Sequence, residues 1–225
     1  MALTDYQTLV DDLVRDDAGK IATPQRDRAI GLAVVRYGQD RPLTTMEDVA
    51  ADGSSYLPLP AAWDDGGSAL MSLEYPIGEW PVSYLAHDAY GVAHGPMGDE
   101  IRLAGHIQVG ALVRAMFTLG HTLDESTDTV PDADREAVAL YASAILMDQL
   151  ASLYSGDGDS TISADSVEHR SQAQEYAARA RGFRTRYFDA LGIDPKRQVA
   201  ACAVVNLDLS NSLGRDRLTH PKRYR

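Results

Sequence analysis

The sequence predicts an α+β protein that is mainly α, with a β-rich insertion set inside a helical frame and an extended C-terminal arm. Three observations predict it. Apolar residues recur at helical spacing before residue 42 and again from 131 to 191. Between these stretches, short apolar runs are separated by Gly and Pro, the pattern of strands and turns. Beyond Pro195 the helical spacing stops, and a β-prone run leads into a basic tail. The boundaries follow from these switches: 1–42 as N-terminal helices, 43–120 as the β-rich insertion, 121–195 as a long antiparallel helix hairpin completing the frame, and 196–225 as the arm.

The first helix is expected over 4–15. Thr4 is a suitable N-cap, and Leu9/Leu13 and Val10/Val14 recur four apart. Asp16-Asp17-Ala18-Gly19 ends it. Thr23-Pro24 opens a second helix, with Thr23 as N-cap and Ile30, Val34 and Tyr37 as its stripe, and Arg41-Pro42 stops it. In the insertion, the strand candidates are 56–60, 69–75, 84–87, 100–103 and 112–118, forming one small antiparallel sheet. Gly78-Glu79-Trp80-Pro81 and 95–99 are expected as hairpin tips. Pro131 opens a long helix to about Tyr154, apolar on a wide face as a buried helix must be. A turn at 155–160 leads to a second long helix from Ser166 to Leu191, with Asp165 and Glu168 at capping-box spacing and Gly192 closing it. Val199–Leu209 is the β-prone run.

Composition excludes several classes. The net charge of −12 argues against wrapping nucleic acid, which needs clustered cations. No run is expected to cross a membrane, and Met1-Ala2-Leu3-Thr4-Asp5 has no signal-peptide pattern. A single cysteine, Cys202, excludes an internal disulfide framework and a four-cysteine zinc site; it reads as a small buried thiol.

A search for chemistry finds residue types without a signature. The six histidines form no metal-ligand spacing, and there is no nucleophile elbow or phosphate loop. His87, Asp88 and His94 would serve as acid and base if the chain were a small hydrolase. From Asp157 to Glu168, oxygen side chains fall at EF-hand spacing, but Ile162 stands where that loop requires Gly, so helix capping is the preferred explanation. Arg114, Arg135, Arg170, Arg179, Arg181, Arg184 and Arg186 are candidates for a phosphate site or, alternatively, solvated and subunit-facing surface. Trp63 and Trp80 are contact anchors if exposed and core if buried. No catalytic residue, cofactor or metal ligand is assigned.

The tail carries the opposite sign to the rest. Residues 215–225 hold five cations against one anion, so the net −12 divides into +4 on the tail and −16 on residues 1–214. With a proline inside it and no apolar periodicity, such a tail is expected to order on a partner.

The layout resembles the head–tail connector proteins (adaptors, or head-completion proteins) of long-tailed bacteriophages. The likeness is carried by Arg28-Ala29-Ile30-Gly31-Leu32-Ala33-Val34-Val35-Arg36-Tyr37 with Asp40-Arg41-Pro42, by the helix around Glu136–Ala144, and by the run from Ser166 through Tyr187 to Leu191-Gly192. It implies a non-enzymatic virion protein of the neck, assembled in the host cytoplasm. Copies would form a ring, typically of twelve, beneath the portal, and packaged DNA would pass through it without specific binding. The arm, with Arg215, Arg217, Leu218, Lys222, Arg223, Tyr224 and Arg225, would dock into the portal protein. The insertion, with Trp63 and Trp80, would meet the next neck or tail protein, although a stretch running from 43 to 120 is large for this family. The alternatives are another neck or tail component (a stopper, tail terminator or baseplate protein) and the hydrolase using His87, Asp88 and His94.

Overall fold

The computed structural model describes residues 2–16, 19–96, 98–155 and 172–196. The fold is α+β, with four helices and two three-stranded antiparallel sheets among the described residues.

Helix α1 spans Ala2–Val14. It buries Tyr6, Val10 and Val14 on one face, the four-residue spacing of a helix packed on one side. It begins before Thr4, so Thr4 is not its cap; instead the Thr4 carbonyl accepts the Thr8 hydroxyl at 3.0 Å. Helix α2 (Thr23–Asp40) has Ala22, not Thr23, at its N-cap. The Gln25 side chain accepts the Ala22 N–H at 2.8 Å, which satisfies one orphan donor without a capping hydroxyl. Ala29, Ile30, Ala33, Val34 and Tyr37 are its buried face.

A 3₁₀ turn, Asp132–Asp134, precedes helix α3 (Arg135–Tyr154). Helices α1 and α2 and helix α4 (Gln172–Leu191) all pack on α3, so α3 is apolar nearly all round. An 18-residue window within Asp132–Tyr154 has a mean hydropathy of 1.3, long and apolar enough by that measure to cross a membrane, but 56% of that window is buried inside this fold. Burial against three helices accounts for the composition. Tyr154 stacks on Tyr176 at 5.4 Å and Tyr141 meets Tyr187 at 4.9 Å, so α3 and α4 run in opposite directions. Gly192, at φ 67°, ends α4, and the Ile193 N–H returns to the Phe188 carbonyl. The expected turn at 155–160, the EF-hand-like spacing and Arg170 lie, but for Ser155, outside the described residues.

The insertion builds two sheets, where the sequence predicts one. Strands β1 (Leu43–Ala50), β6 (Leu112–Leu119) and β3 (Leu70–Glu74) form the first in the order β1-β6-β3. Strands β2 (Tyr56–Leu57), β5 (Gly98–Leu103) and β4 (Tyr90–Gly95) form the second in the order β2-β5-β4. Val49, Leu57, Leu73, Ile101, Leu103, Val113, Ala115 and Phe117 fill their shared core. Two strands are not legible in the sequence. Leu-Thr-Thr-Met-Glu-Asp-Val-Ala of β1 has no clear alternation and becomes a strand by pairing along its full length with β6. Strand β4 contains two glycines and is held by the β5 hairpin. The run at 84–87 is not a strand; Tyr84 makes one isolated bridge to Glu74. That bridge closes a loop whose tip holds Gly78 and Trp80, as expected.

Helices and sheets keep separate cores. The chain passes from α2 into β1 and returns from β6, and these two strand ends pair at Leu43↔Leu119.

Candidate interaction surface

The densest polar network lies where α2 ends and the β unit begins. The Tyr37 hydroxyl donates to Asp134 Oδ2 at 2.6 Å, and Arg41 Nη1 donates to the same oxygen at 2.8 Å. Arg41 Nη2 donates to the Leu191 carbonyl at 2.9 Å, capping α4. The Tyr187 hydroxyl donates to Asp40 Oδ2 at 2.7 Å, and Arg36 holds both oxygens of Asp40. Burial, then the hydrogen bond to Asp134, pushes the Tyr37 hydroxyl up to about 12; burial, then Asp40, pushes Tyr187 up further. His121 joins the helical part to the strands, with Nε2 at 2.9 Å from the Arg41 carbonyl and its ring 4.8 Å from Tyr37. These are the residues of Arg36-Tyr37 and Asp40-Arg41 singled out in the sequence, and their contacts are structural: they fix α2, the start of α3 and α4 to one another.

At the β4–β5 hairpin, His94 Nδ1 lies 2.5 Å from Asp99 Oδ1, its cross-strand partner. Asp99 also accepts the Trp63 indole N–H at 3.0 Å and the Gly66 N–H at 3.1 Å. The bonds from His94, then Gly66, then Trp63 hold the Asp99 carboxyl below the usual carboxylate range. Such a pair can orient a general base, but the His94 side chain is 71% exposed. His87 instead meets the Tyr90 hydroxyl at 3.1 Å, and Tyr90 stands four positions before His94 along β4, a rise of about 13 Å. His87 and His94 are therefore engaged at opposite ends of one strand, with Asp88 beside the first, and do not form one acid–base cluster. Among the described residues there is no group of three His, Cys, Asp or Glu placed to hold a metal.

Among the described residues, the arginines do not converge on a phosphate site. Arg114 pairs with Asp48 and Glu74 across the sheet, and Arg135 with Asp128 and Asp132. Arg184 pairs with Asp148 and Arg186 with Glu136, joining α4 to α3. Arg179 reaches the Val14 carbonyl.

The two tryptophans part company. Trp63 is partly buried and packs against the core of the β unit, on Phe117 at 5.6 Å with its indole N–H on Asp99. Trp80 is 91% exposed. Tyr84, on the return of the same loop, is exposed as well. Leu32 and Val35 are exposed three residues apart on α2, on one helix face. Arg215, Arg217, Leu218, Lys222, Arg223, Tyr224 and Arg225 of the arm, and Cys202, lie outside the described residues.

Sequence reasoning missed Asp99 and the junction network. Asp134 offered one signal, an acidic residue beside the Pro131 helix start; Asp99 offered none, because its role depends on the cross-strand register. No family model matches the chain, and no curated protein matches it.

Proposed function

We propose that this protein is a head-to-tail adaptor: a structural virion protein whose copies form a ring of twelve beneath the portal, joining the DNA-filled capsid to the tail around the DNA channel. The observation that carries the reading is the division of charge, +4 on residues 215–225 against −16 on the remainder. A cationic arm suits carboxylates on a portal, and an acidic body beside a channel repels phosphate and keeps passing DNA from adhering. The helical frame with a β unit inserted between its halves supports the reading, as does the resemblance of α2 and α3 to connector helices.

In this reading α3 and α4 form a hairpin that packs beside its neighbours' hairpins, and the exposed Leu32 and Val35 are covered on ring closure. The extended arm docks into the portal: Arg217, Arg223 and Arg225 pair with carboxylates, while Leu218 and Tyr224 fill apolar pockets. Trp80 is the anchor on the β unit for the next neck or tail protein. The function needs no catalytic residue, cofactor or metal.

Light scattering on the purified chain, alone and mixed with the portal ring, tests this. The expected result is a stoichiometric ring on the portal, lost when 214–225 are deleted although the truncated chain stays folded. A chain indifferent to the portal overturns the adaptor reading. Undiminished portal binding without 214–225 overturns the role of the arm.

A further inference from the structure

The β unit carries a large share of the negative charge. Residues 43–119 hold ten Asp and Glu against two Arg, a net of −8 with His neutral. No Lys or Arg stands between Arg41 and Arg102. Both arginines are engaged within the unit. Arg114 pairs with Asp48 and Glu74. Arg102 lies over the Tyr56 ring at 5.4 Å, with Glu100 at 3.9 Å. The surplus is negative, and its field draws in cations.

One aromatic loop stands on this unit. Residues 76–82 leave the first sheet between two pinned ends. The Tyr75 N–H donates to the Ser83 carbonyl at 2.9 Å, and the Leu85 N–H donates to the Leu73 carbonyl at 2.8 Å. Within the loop the Gly78 N–H donates to Glu74 Oε1 at 3.0 Å. Gly78 has φ 86°, where a side chain would be strained. Tyr75 and Leu85 pack against the β core, so the base is fixed. The tip carries Glu79 and Trp80, both exposed, and Tyr84 is exposed on the return. A loop held in this way presents its aromatic at low ordering cost, and Trp is a residue type that anchors contacts.

Charge selects the partner. Among aromatic side chains, the face of Trp attracts cations best. Glu79 sets a carboxylate next to Trp80 in the chain. An apolar partner would strip water from Glu79 without pairing it. Nucleic acid, and the β unit of a second copy, carry the same sign as this surface and are repelled. An arginine suits both groups: its guanidinium plane stacks on an indole, and its N–H donors match a carboxylate.

We propose that the Trp80 loop is the docking site for a protein surface rich in arginine, with one guanidinium stacked on Trp80 and paired to Glu79. This deepens the reading of Trp80 as the anchor for the next neck or tail protein, and rests on it. It names the chemistry of that protein, a cationic face. The two contacts of the adaptor then take partners of opposite sign: carboxylates of the portal at the arm, arginines at the β unit.

The test uses the full-length protein and a short peptide alternating Arg and Gly, with its Gln and Gly counterpart as control. The chain has two tryptophans, so NMR shows two indole N–H signals. The Arg peptide should shift the Trp80 signal and leave that of Trp63, whose N–H is held by Asp99. Trp80→Ala should weaken peptide binding by about tenfold, and Glu79→Gln by about twofold. Both side chains are exposed, so the variants stay folded. Raising the salt from about 0.01 M to about 0.1 M should weaken binding as well. Equal binding of the Gln peptide, or binding indifferent to Trp80→Ala, overturns the proposal. Binding that appears only once 214–225 are deleted makes the chain's own tail the occupant, and overturns a separate partner. Portal binding is read apart from this: a chain that takes the Arg peptide through Trp80 but ignores the portal overturns the adaptor reading and leaves the cationic preference of the loop in place.

Discussion

Three buried tyrosines show how a single hydroxyl is worth different amounts. Tyr37 and Tyr187 donate to Asp134 and Asp40, and each carboxylate sits in a half-buried ion network. Tyr37→Phe or Tyr187→Phe leaves a carboxylate short of a donor and is expected to cost about 1–2 kcal/mol in urea unfolding. The Tyr6 hydroxyl is buried beside Asp128 and Arg135 but makes no hydrogen bond of ordinary geometry among the described residues. Tyr6→Phe should therefore cost less than Tyr37→Phe, and an equal loss would show that Asp128 or Arg135 bonds the hydroxyl in solution. Asp99 supplies a pH dependence. Its carboxyl is held below the usual range by His94, Gly66 and Trp63, so the folded state binds its proton more weakly than the unfolded chain does. Its contribution is complete above the ordinary carboxylate value of about 4 and is lost as pH falls through the depressed folded value. Asp99→Asn should lower the melting temperature at neutral pH and flatten the fall in stability below about pH 4. Parallel melting curves against pH for both proteins would remove Asp99 as a source.

At the scale of elements, the two cores behave as separate reserves of stability. Leu146 lies fully buried in α3, and Phe117 fully buried in β6. Leu146→Ala should cost the helical part about 2–5 kcal/mol, and Phe117→Ala should cost the β unit a similar amount. The junction couples them through His121, which touches Arg41, Thr129 and Tyr37. His121→Ala leaves both cores intact and should split a single thermal transition into two, read by calorimetry. A single sharp transition in that variant would show that the paired ends of β1 and β6 suffice for coupling.

At the scale of the whole molecule, the proposed ring makes charge the term that governs association. Twelve copies at −12 each would bring about −144 formal charges together. Raising the salt from about 0.01 M to about 0.1 M shortens the screening length from about 30 Å to about 10 Å. Self-association on the portal should therefore strengthen over that range. In the adaptor reading the arm would work the other way, because its cations would meet portal carboxylates, a contact that salt weakens. Light scattering across a salt series should thus show arm-dependent binding of single copies favoured at low salt and ring closure favoured at moderate salt. Ring closure indifferent to salt would show that the acidic surfaces face away from the subunit contacts.

The sequence by itself determined the α+β class, the placing of the β unit between helices, and the faces of α1 and α2. These follow from local periodicity: Val10 and Val14, or Ile30, Val34 and Tyr37, must share one side of a helix wherever that helix packs. The charge of the tail was equally plain. The tertiary structure alone decided the split into two sheets, the strands β1 and β4, and the different fates of Trp63 and Trp80. Strand β1 is polar and weakly patterned, so its state depends on a partner distant in sequence, β6, with Leu43 set against Leu119 and Ala50 against Leu112. Trp63 and Trp80 stand in similar Gly- and Pro-rich surroundings, and only the fold puts Phe117 and Asp99 against the first and leaves the second in solvent. Local pattern fixes what a segment can be; long-range pairing, which the sequence does not encode by spacing, fixes what each residue touches.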